Sequence, residues 1–241
     1  LNFENCNFDD EDLSGLELDG VQFSGCSFLN TRFARAHLQD TVLQRCKLGQ
    51  VDFSLADLSS ARFRVCDLHL SKWVCAQIAS MHIEDSKLSG AIFNETRGLD
   101  LSLRECKLVG ATLRAINFRK QNLVQLDFSD ADLGGCNFQD AVFEGGSLRG
   151  ASLRGVNFKG ADLRSVELGS ITLYDLNNSF QGACLSVEQA VQLVAGAGHP
   201  PELVGTLLQA NLVAAALVTL VVSLVHTQQV SASTPLTVTG P

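Results

Sequence analysis

The chain has 241 residues, a length that suits one or two domains. Its 26 acidic and 18 basic residues leave a net charge of −8 at pH 7. This charge argues against a general nucleic-acid-binding protein, which needs a basic surface. No N-terminal signal peptide is visible, so we expect a cytoplasmic protein.

A five-residue repeat runs from Leu1 to Tyr174. Every fifth residue from Phe3 is large and apolar, and only Gly98 departs from this rule. The residue two positions earlier is mostly small, as in Cys26, Ala36 and Ala161. A period of five matches neither a helix nor a strand. The sequence therefore predicts an array of short units that must stack to bury a core.

A longer period of twenty residues indicates how many units form one coil. Five cysteines fall on it, and a sixth also occupies the small position: Cys6, Cys26, Cys46, Cys66 and Cys106, with Cys136 as the sixth. Four units per coil would make a square with one apolar residue pointing inward from each side. We expect these thiols to be buried as small hydrophobic groups rather than to form disulfides or a zinc site.

This pattern resembles the pentapeptide-repeat family over residues 1–174. The resemblance implies an all-β solenoid, a right-handed quadrilateral β-helix. Its length predicts about nine coils and, at about 4.8 Å per coil, a rod of about 40 Å. We divide the chain into the β-helix (1–175), a connecting segment with a capping helix (176–200), and an apolar helix with a loose tail (201–241).

Two places break the regularity of the repeat. Trp73 is either a large core residue or a contact site, and Val74 beside it predicts an exposed apolar spot. Gly98 removes one inward side chain within residues 94–101, where we expect a bulge or a changed corner turn.

Acidic residues are concentrated near the ends of the repeat. Residues 1–31 contain seven acids and no Lys or Arg. This end either meets a basic partner or is kept polar to prevent end-to-end stacking of an open β-edge. No long acidic ladder follows any side. We name as candidate partner-binding residues Asp9, Asp10, Glu11, Asp12, Glu167 and Asp175.

A helix is predicted after the repeat. Ser186 and Gln189 form a capping-box pattern. One helical face would carry the candidate capping and dimerisation residues Val187, Ala190, Val191 and Val194. The helix should cover the last coil. It is similar to the C-terminal helix of the gyrase-protecting, quinolone-resistance branch of the family, where it helps to form a homodimer.

Residues 203–225 contain no charged side chain and are long enough, as a helix, to cross a bilayer. Three alternatives remain open for them: a buried or dimer-forming helix, a membrane anchor, or a disordered or strand-forming tail. The membrane anchor would make the protein membrane-associated rather than simply cytoplasmic.

No catalytic motif, metal cluster or cofactor motif is found, so we expect a non-enzymatic protein without cofactor or metal. The family resemblance implies a DNA mimic that binds a type II topoisomerase such as DNA gyrase and protects it from quinolone-like poisons. Direct nucleic-acid binding is not expected. The alternative is a structural or scaffold interaction module, either free or tethered to a membrane through residues 203–225.

Overall fold

A computed structural model describes residues 1–169, 171 and 179–196 of the chain. They form a parallel β-solenoid followed by one helix, α1 (Val187–Gly196). One sheet contains eight three-residue strands in sequence order. These are β1 (Asn2–Glu4), β2 (Gln22–Ser24), β3 (Val42–Gln44), β4 (Arg62–Arg64), β5 (His82–Glu84), β6 (Ser102–Arg104), β7 (Asn122–Val124) and β8 (Val142–Glu144).

Each coil takes twenty residues, because Phe3 pairs with Phe23 and Phe23 pairs with Leu43 in parallel register. We number the coils accordingly, from coil 1 (1–20) to coil 8 (141–160), with coil 9 beginning at residue 161. Positions 1–5, 6–10, 11–15 and 16–20 of each coil make its first, second, third and fourth sides. The strands lie on the first side, and isolated parallel bridges join the coils on the other three.

The corners of the square explain why a five-residue unit suffices. In coils 1–8 the last residue of each unit has a positive φ, as at Asn5 (52°) and Asp10 (62°), and this turns the chain onto the next side. On the second side the Glu11 amide closes the turn by donating to the Phe8 carbonyl at 3.3 Å. The Phe8 amide meanwhile donates to Ser27 in the next coil at 2.8 Å, so the backbone groups are shared between coils.

The inward residues fill the interior completely and include two aromatic columns. On the third side, Phe53, Trp73 and Phe93 stack with ring centroids 4.5 and 5.1 Å apart. On the fourth side, Phe118, Phe138 and Phe158 stack at 5.1 Å. Trp73 is fully buried and donates its indole N–H to Ser71 Oγ at 2.7 Å. The indole is therefore a core residue, which leaves only its neighbours for surface contacts.

Gly98 lies on the fourth side in coil 5. Along the rod, this is where the third-side aromatic column ends and just before the fourth-side column begins. Its φ is +124°, and a β-carbon at this position would come within 2.5 Å of the Ala79 amide nitrogen. Pairing nevertheless continues, since Arg97 bridges to Gln77. The corner bonds of coil 4, such as Ala76 N–H to Trp73 at 3.2 Å, have no counterpart at residues 93–96. The changed corner turn is thus confirmed, and it occurs without any loss of register.

The cysteine file is also as predicted. Cys26, Cys46, Cys66 and Cys106 are buried, and Cys6 in the first coil is half-buried. Each buried thiol donates to a carbonyl of the preceding coil, as Cys106 does to Ile83 at 3.4 Å. Burial raises the pKa of Cys106 to about 11 and that of Cys136 to about 12. Cys106 and Cys136 therefore remain protonated and pack as small hydrophobic groups.

The last coil contains two more residues than the others. Phe180 stacks on Phe158 at 4.7 Å, and Leu163 N–H donates to the Cys184 carbonyl at 2.9 Å, so both pairings exceed the twenty-residue step. We expected the array to end near residue 175, with Leu173 as its last inward residue. Residues 172–178 lie outside the described part, but Phe180, Ala183 and Leu185 add a further buried layer beyond them.

The predicted fold class, a quadrilateral β-helix with a helix at its C-terminal end, is confirmed. The eight strands mark the first sides of coils 1–8, with seven turns between them, and bridges at Asp162 and Glu167 continue the solenoid into coil 9. The described residues include no helix with the length and apolarity needed to cross a membrane. The predicted segment 203–225 lies outside them.

Candidate interaction surface

Charge is distributed unevenly along the rod. Residues 1–20 carry seven acids and no base, whereas residues 21–160 carry 14 acids and 17 bases. The excess negative charge therefore lies in coil 1 and, to a smaller extent, beyond residue 160, where five acids accompany one base. The sides of coils 2–8 have mixed charge.

Two of the candidate acids, Asp9 and Asp10, contact the next coil. Asp9 Oδ1 accepts from Ser27 Oγ at 2.6 Å and from the Leu29 amide at 2.7 Å. Asp10 accepts from Asn30 Nδ2 at 3.1 Å. Asp9 is half-buried by these contacts, so it stabilises the coil and offers little charge to a partner.

The other two candidate acids of coil 1 are free to meet a partner. Glu11 and Asp12 are both exposed. Hydrogen bonds from Ser14 and the positive charge of Arg32 hold the pKa of Asp12 below its ordinary value. Asp12 is thus an anion at neutral pH, and its ion pair with Arg32 is a loose one of 3.7 Å.

A cluster of Glu17, Asp19 and His37 forms on the fourth side at the same end. Their donor atoms lie within 4.8 Å of one another, and all three residues are exposed. The sequence search for metal sites relied on local spacing and missed this grouping, because the solenoid places residues twenty positions apart side by side. Asp19 Oδ1 already accepts a hydrogen bond from the backbone N–H of Gln39 at 2.7 Å.

In the middle of the rod, acidic and basic side chains of neighbouring coils form ion pairs with each other. Coil 6 carries five bases and one acid, and coil 7 carries four acids and no base. Arg114 pairs with Asp132 across the two coils at 2.6 Å, and Arg119 pairs with Asp140 at 3.9 Å. Burial alone would raise the pKa of Asp132, but the Gly134 amide and Arg114 outweigh it and lower that pKa.

The structure does not bring all the candidate acids together. Glu167 is exposed on the second side of coil 9, eight coils from the acids of coil 1. At about 4.8 Å per coil the two ends are separated by roughly 38 Å. Asp175 lies outside the described residues. Any partner that contacts both ends must span the length of the rod.

Helix α1 is attached to the last coil through its cap. Ser186 N–H donates to Gln189 Oε1 at 2.7 Å, and Gln189 N–H donates to Ser186 Oγ at 3.2 Å, which is the predicted capping box. The same glutamine amide also donates to the carbonyls of Leu163 and Val166 at 2.8 and 2.7 Å. Gln189 thus satisfies carbonyls of the last coil as well as the helix start.

The buried face of α1 differs from the predicted one. Ala190 is buried and Leu193 packs against the core, whereas Val187 is 43% exposed and Val191 is half-buried. The side chain of Val194 lies outside the description. The apolar pattern was misleading because Gln189, a polar residue, occupies the centre of the covered face. The exposed Val187 stays available for the predicted dimer contact.

An apolar patch, which we call the third-side patch, lies on the third side of coils 3–5. Leu55 is about half exposed, at 49%, and Leu70, at 52%, lies at the corner where the second side of coil 4 meets the third. Val74, Cys75 and Ile92, on the third side of coils 4 and 5, are half-buried. The patch includes the apolar spot that Val74 predicted, and Asp52 and Lys72 lie within it.

Comparisons with known proteins agree with this architecture. Models of the pentapeptide repeat region match residues 16–93, and models of pentapeptide repeats in eight copies match residues 102–140 and 127–169. No curated protein sequence matches significantly.

Two solved structures show the extent of the shared fold. Full-length QnrB1, a plasmid-mediated fluoroquinolone resistance protein, is 20% identical with a TM-score of 0.72, covering 82% of this chain and 100% of QnrB1. HetL, involved in heterocyst differentiation regulation in the cyanobacterium Nostoc sp. strain PCC 7120, is 19% identical with a TM-score of 0.53, covering 75% of this chain and 87% of HetL. The chain belongs to the pentapeptide repeat family.

Proposed function

We propose that this protein is a non-enzymatic binding protein whose partner is a type II topoisomerase such as DNA gyrase, which it protects from quinolone-like poisons. The observation that carries the proposal is the rod itself. Its coils 1–8 contain no large insertion, a capping helix closes its C-terminal end, and its fold matches QnrB1 over the full length of that protein. A densely filled rod offers its surface, not a pocket, to a ligand.

The charge distribution supports a specific mode of binding. A protein that replaces DNA on a topoisomerase must present negative charge to a basic surface, and such complementarity mainly increases association rate and specificity. In this chain the negative charge is concentrated in coil 1 rather than along a side. We therefore propose that Glu11 and Asp12, with Asp10 beside them, make the principal electrostatic contacts, and that Glu167 adds to them.

The proposed dimer would use helix α1. Its exposed Val187 lies next to the cap, while Gln189 and Ala190 face the last coil. In this arrangement the helix has two roles: one face covers the end of the solenoid, and the other face is free to contact a second copy.

The experiment is a gyrase supercoiling assay with purified protein, with and without a fluoroquinolone. The proposal predicts inhibition, or rescue of supercoiling from the drug, at micromolar protein or below. No effect on gyrase from several bacteria would overturn it.

A charge variant then locates the contact. The triple substitution Asp10→Asn, Glu11→Gln and Asp12→Asn should raise the effective concentration roughly tenfold, because it removes three charges from coil 1. The matched control removes three exposed charges from the middle of the rod, through Asp100→Asn, Asp130→Asn and Glu144→Gln. Equal losses in both variants would contradict the role of coil 1 without contradicting the function.

A scaffold protein for other partners is the second candidate. The mixed charge of coils 2–8 and the exposed third-side patch favour it, since neither is needed for DNA mimicry. Its membrane-tethered form depends on residues 203–225. Flotation of the chain with liposomes, with and without these residues, tests that form, and recovery of the intact chain only in the unbound fraction would overturn it.

A further inference from the structure

We propose that the third side of coils 2–5 is a self-association surface, on which a second copy of this chain lies antiparallel. The inference rests on the third-side patch and on the order of charges around it. It is independent of the proposed topoisomerase partner and of the predicted contact through α1.

The patch is the part of this surface that gains from being covered. Leu55, on the third side of coil 3, and Leu70, at the corner between the second and third sides of coil 4, are each about half exposed. Leu70 extends over Gly90 of the next coil, where its Cδ2 lies 2.7 Å from the position that a β-carbon would take. On three successive coils this side leaves apolar groups at least partly exposed, at Leu55, Val74, Cys75 and Ile92. Apolar groups gathered on one surface are typical of interaction sites.

The charges on the same side alternate in sign from coil to coil. In order they are Arg32 and Arg35 in coil 2, Asp52 in coil 3, Lys72 in coil 4 and Glu95 in coil 5. All are exposed except Asp52, which is half-buried. Within the described part of the chain, neither Arg35 nor Lys72 has an ion-pair partner.

This order is self-complementary under one symmetry operation. A twofold axis placed between coils 3 and 4, across the rod, sets coil 3 against coil 4 of the copy and coil 2 against coil 5. Asp52 then faces Lys72 and Arg35 faces Glu95, and each pair occurs twice. At the same corner Leu55 meets Cys75 of the copy, so apolar groups also face each other.

Other arrangements of the two rods are less favourable. A parallel contact, with the axis along the rod, sets Asp52 against Asp52 and Lys72 against Lys72, because both lie in the middle of the side. An axis centred on coil 4 sets Lys72 against Lys72 and Leu55 against Glu95. In coil 2, Arg32 is already paired with Asp12 of its own chain at 3.7 Å and faces only Ile92 in the proposed contact. The register is therefore specified by charge as well as by the patch.

The expected affinity is modest. Coils 2–5 span roughly 19 Å at about 4.8 Å per coil, on a single flat side. Such a contact lies at the small end of specific interfaces, so we expect micromolar association that weakens as salt is added.

A cross-linking experiment tests the geometry in the full chain. In a Cys6→Ser, Cys75→Ser and Cys184→Ser background, one preparation carries Arg35→Cys and another carries Glu95→Cys. Mixing them with a short bismaleimide should give a covalent heterodimer, while each alone gives none, because residues 35 and 95 lie three coils apart within a chain. The control pair, Gln22→Cys and His82→Cys, lies in the same two coils but on the first side of the rod, opposite the third side, and should not cross-link. Equal cross-linking of both pairs, or none of the test pair, would overturn the proposal.

Charge exchange provides the second test. Asp52→Lys and Lys72→Asp should each weaken self-association about tenfold, because two pairs become repulsive. An equimolar mixture of the two variants should recover the original affinity. In the mixed dimer, positions 52 and 72 carry lysine in one chain and aspartate in the other, so both facing pairs are again opposite in charge. Sedimentation of fluorescently labelled chains measures the original protein, each variant and the mixture, with circular dichroism to confirm folding. Equal association in all four samples, as a contact through α1 alone would give, contradicts the proposal.

Discussion

In coils 2–5 the aromatic column lies on the third side of the solenoid, whereas from coil 6 onward it lies on the fourth. The third side changes from Phe33, Phe53, Trp73 and Phe93 to Leu113, Leu133 and Leu153. The fourth side changes in the opposite sense, from Leu38, Leu58 and Ile78 to Phe118, Phe138, Phe158 and Phe180. The stacked rings remain about 5 Å apart in both halves.

The comparison shows how a solenoid keeps a constant cross-section while its sequence varies. Bulk added on one side must be removed from a neighbouring side, because the interior is close-packed. Gly98 marks the exchange: it contributes no side chain beside Phe93, and its backbone approaches Ala79 more closely than a β-carbon permits. The half with aromatic side chains on its third side is also the half that exposes the third-side patch.

The largest expected effect comes from emptying either column. Trp73→Ala and Phe138→Ala should each lower the free energy of unfolding by about 3–5 kcal/mol, because both side chains are fully buried between stacked rings. Denaturant unfolding measures both. A loss below about 1 kcal/mol in one variant only would show that the halves do not share the same packing.

The junction between the halves should be the next most sensitive place. Gly98→Ala should cost about 2–3 kcal/mol, since it adds a contact with the Ala79 backbone to a φ of +124°. The control Gly110→Ala has a positive φ but open space around it, so about 1 kcal/mol is expected. Equal losses in thermal or denaturant unfolding would remove the close approach as the reason for glycine.

The cap should affect only the C-terminal half. Gln189→Ala should cost about 1–2 kcal/mol, because it leaves the carbonyls of Leu163 and Val166 without their donor. Gln192→Ala, exposed on the same helix, is the matched control and should be near neutral. Hydrogen exchange should show lost protection in the last coils and unchanged protection in coils 2–5. Uniform loss along the rod would argue against independent halves.

Acidification should produce the smallest effect, and it should act on both halves. The pKa of Asp162 is lowered by its hydrogen bond to Arg164. Burial opposes the shift at Asp57 and Asp67, but hydrogen bonds to Ser59 and His69 outweigh it, so their pKa values are also lowered. A lowered folded-state pKa gives stability that is present above the unfolded value of about 4 and is lost as pH falls through the folded one. Unfolding midpoints that rise on acidification from about pH 5 to 3 would contradict this.

Much of the fold follows from the sequence because the inward position is decided by size and polarity at a fixed period. The cysteine file and the changed corner near Gly98 could be located for the same reason. The two extra residues before Phe180 could not be located, because the sequence there has no repeat pattern against which an insertion of two residues could be recognised. The covered face of α1 was misplaced because counting apolar residues ignores a buried glutamine whose amide is fully bonded.

The candidate site was less predictable than the fold. The sequence located the acids of coil 1, but it did not indicate that Asp9 bonds to Ser27 and Leu29 while Glu11 and Asp12 remain exposed. The alternation of Arg35, Asp52, Lys72 and Glu95 becomes meaningful only when the coils align them on one side.

The most direct test of the proposed function is competition between this protein and duplex DNA for DNA gyrase, followed by fluorescence anisotropy of the labelled protein. We predict saturable binding that duplex DNA displaces and that the triple variant of Asp10, Glu11 and Asp12 weakens. Absence of binding, or binding that duplex DNA leaves unchanged, would contradict the proposal that the acidic rod occupies a DNA-binding surface.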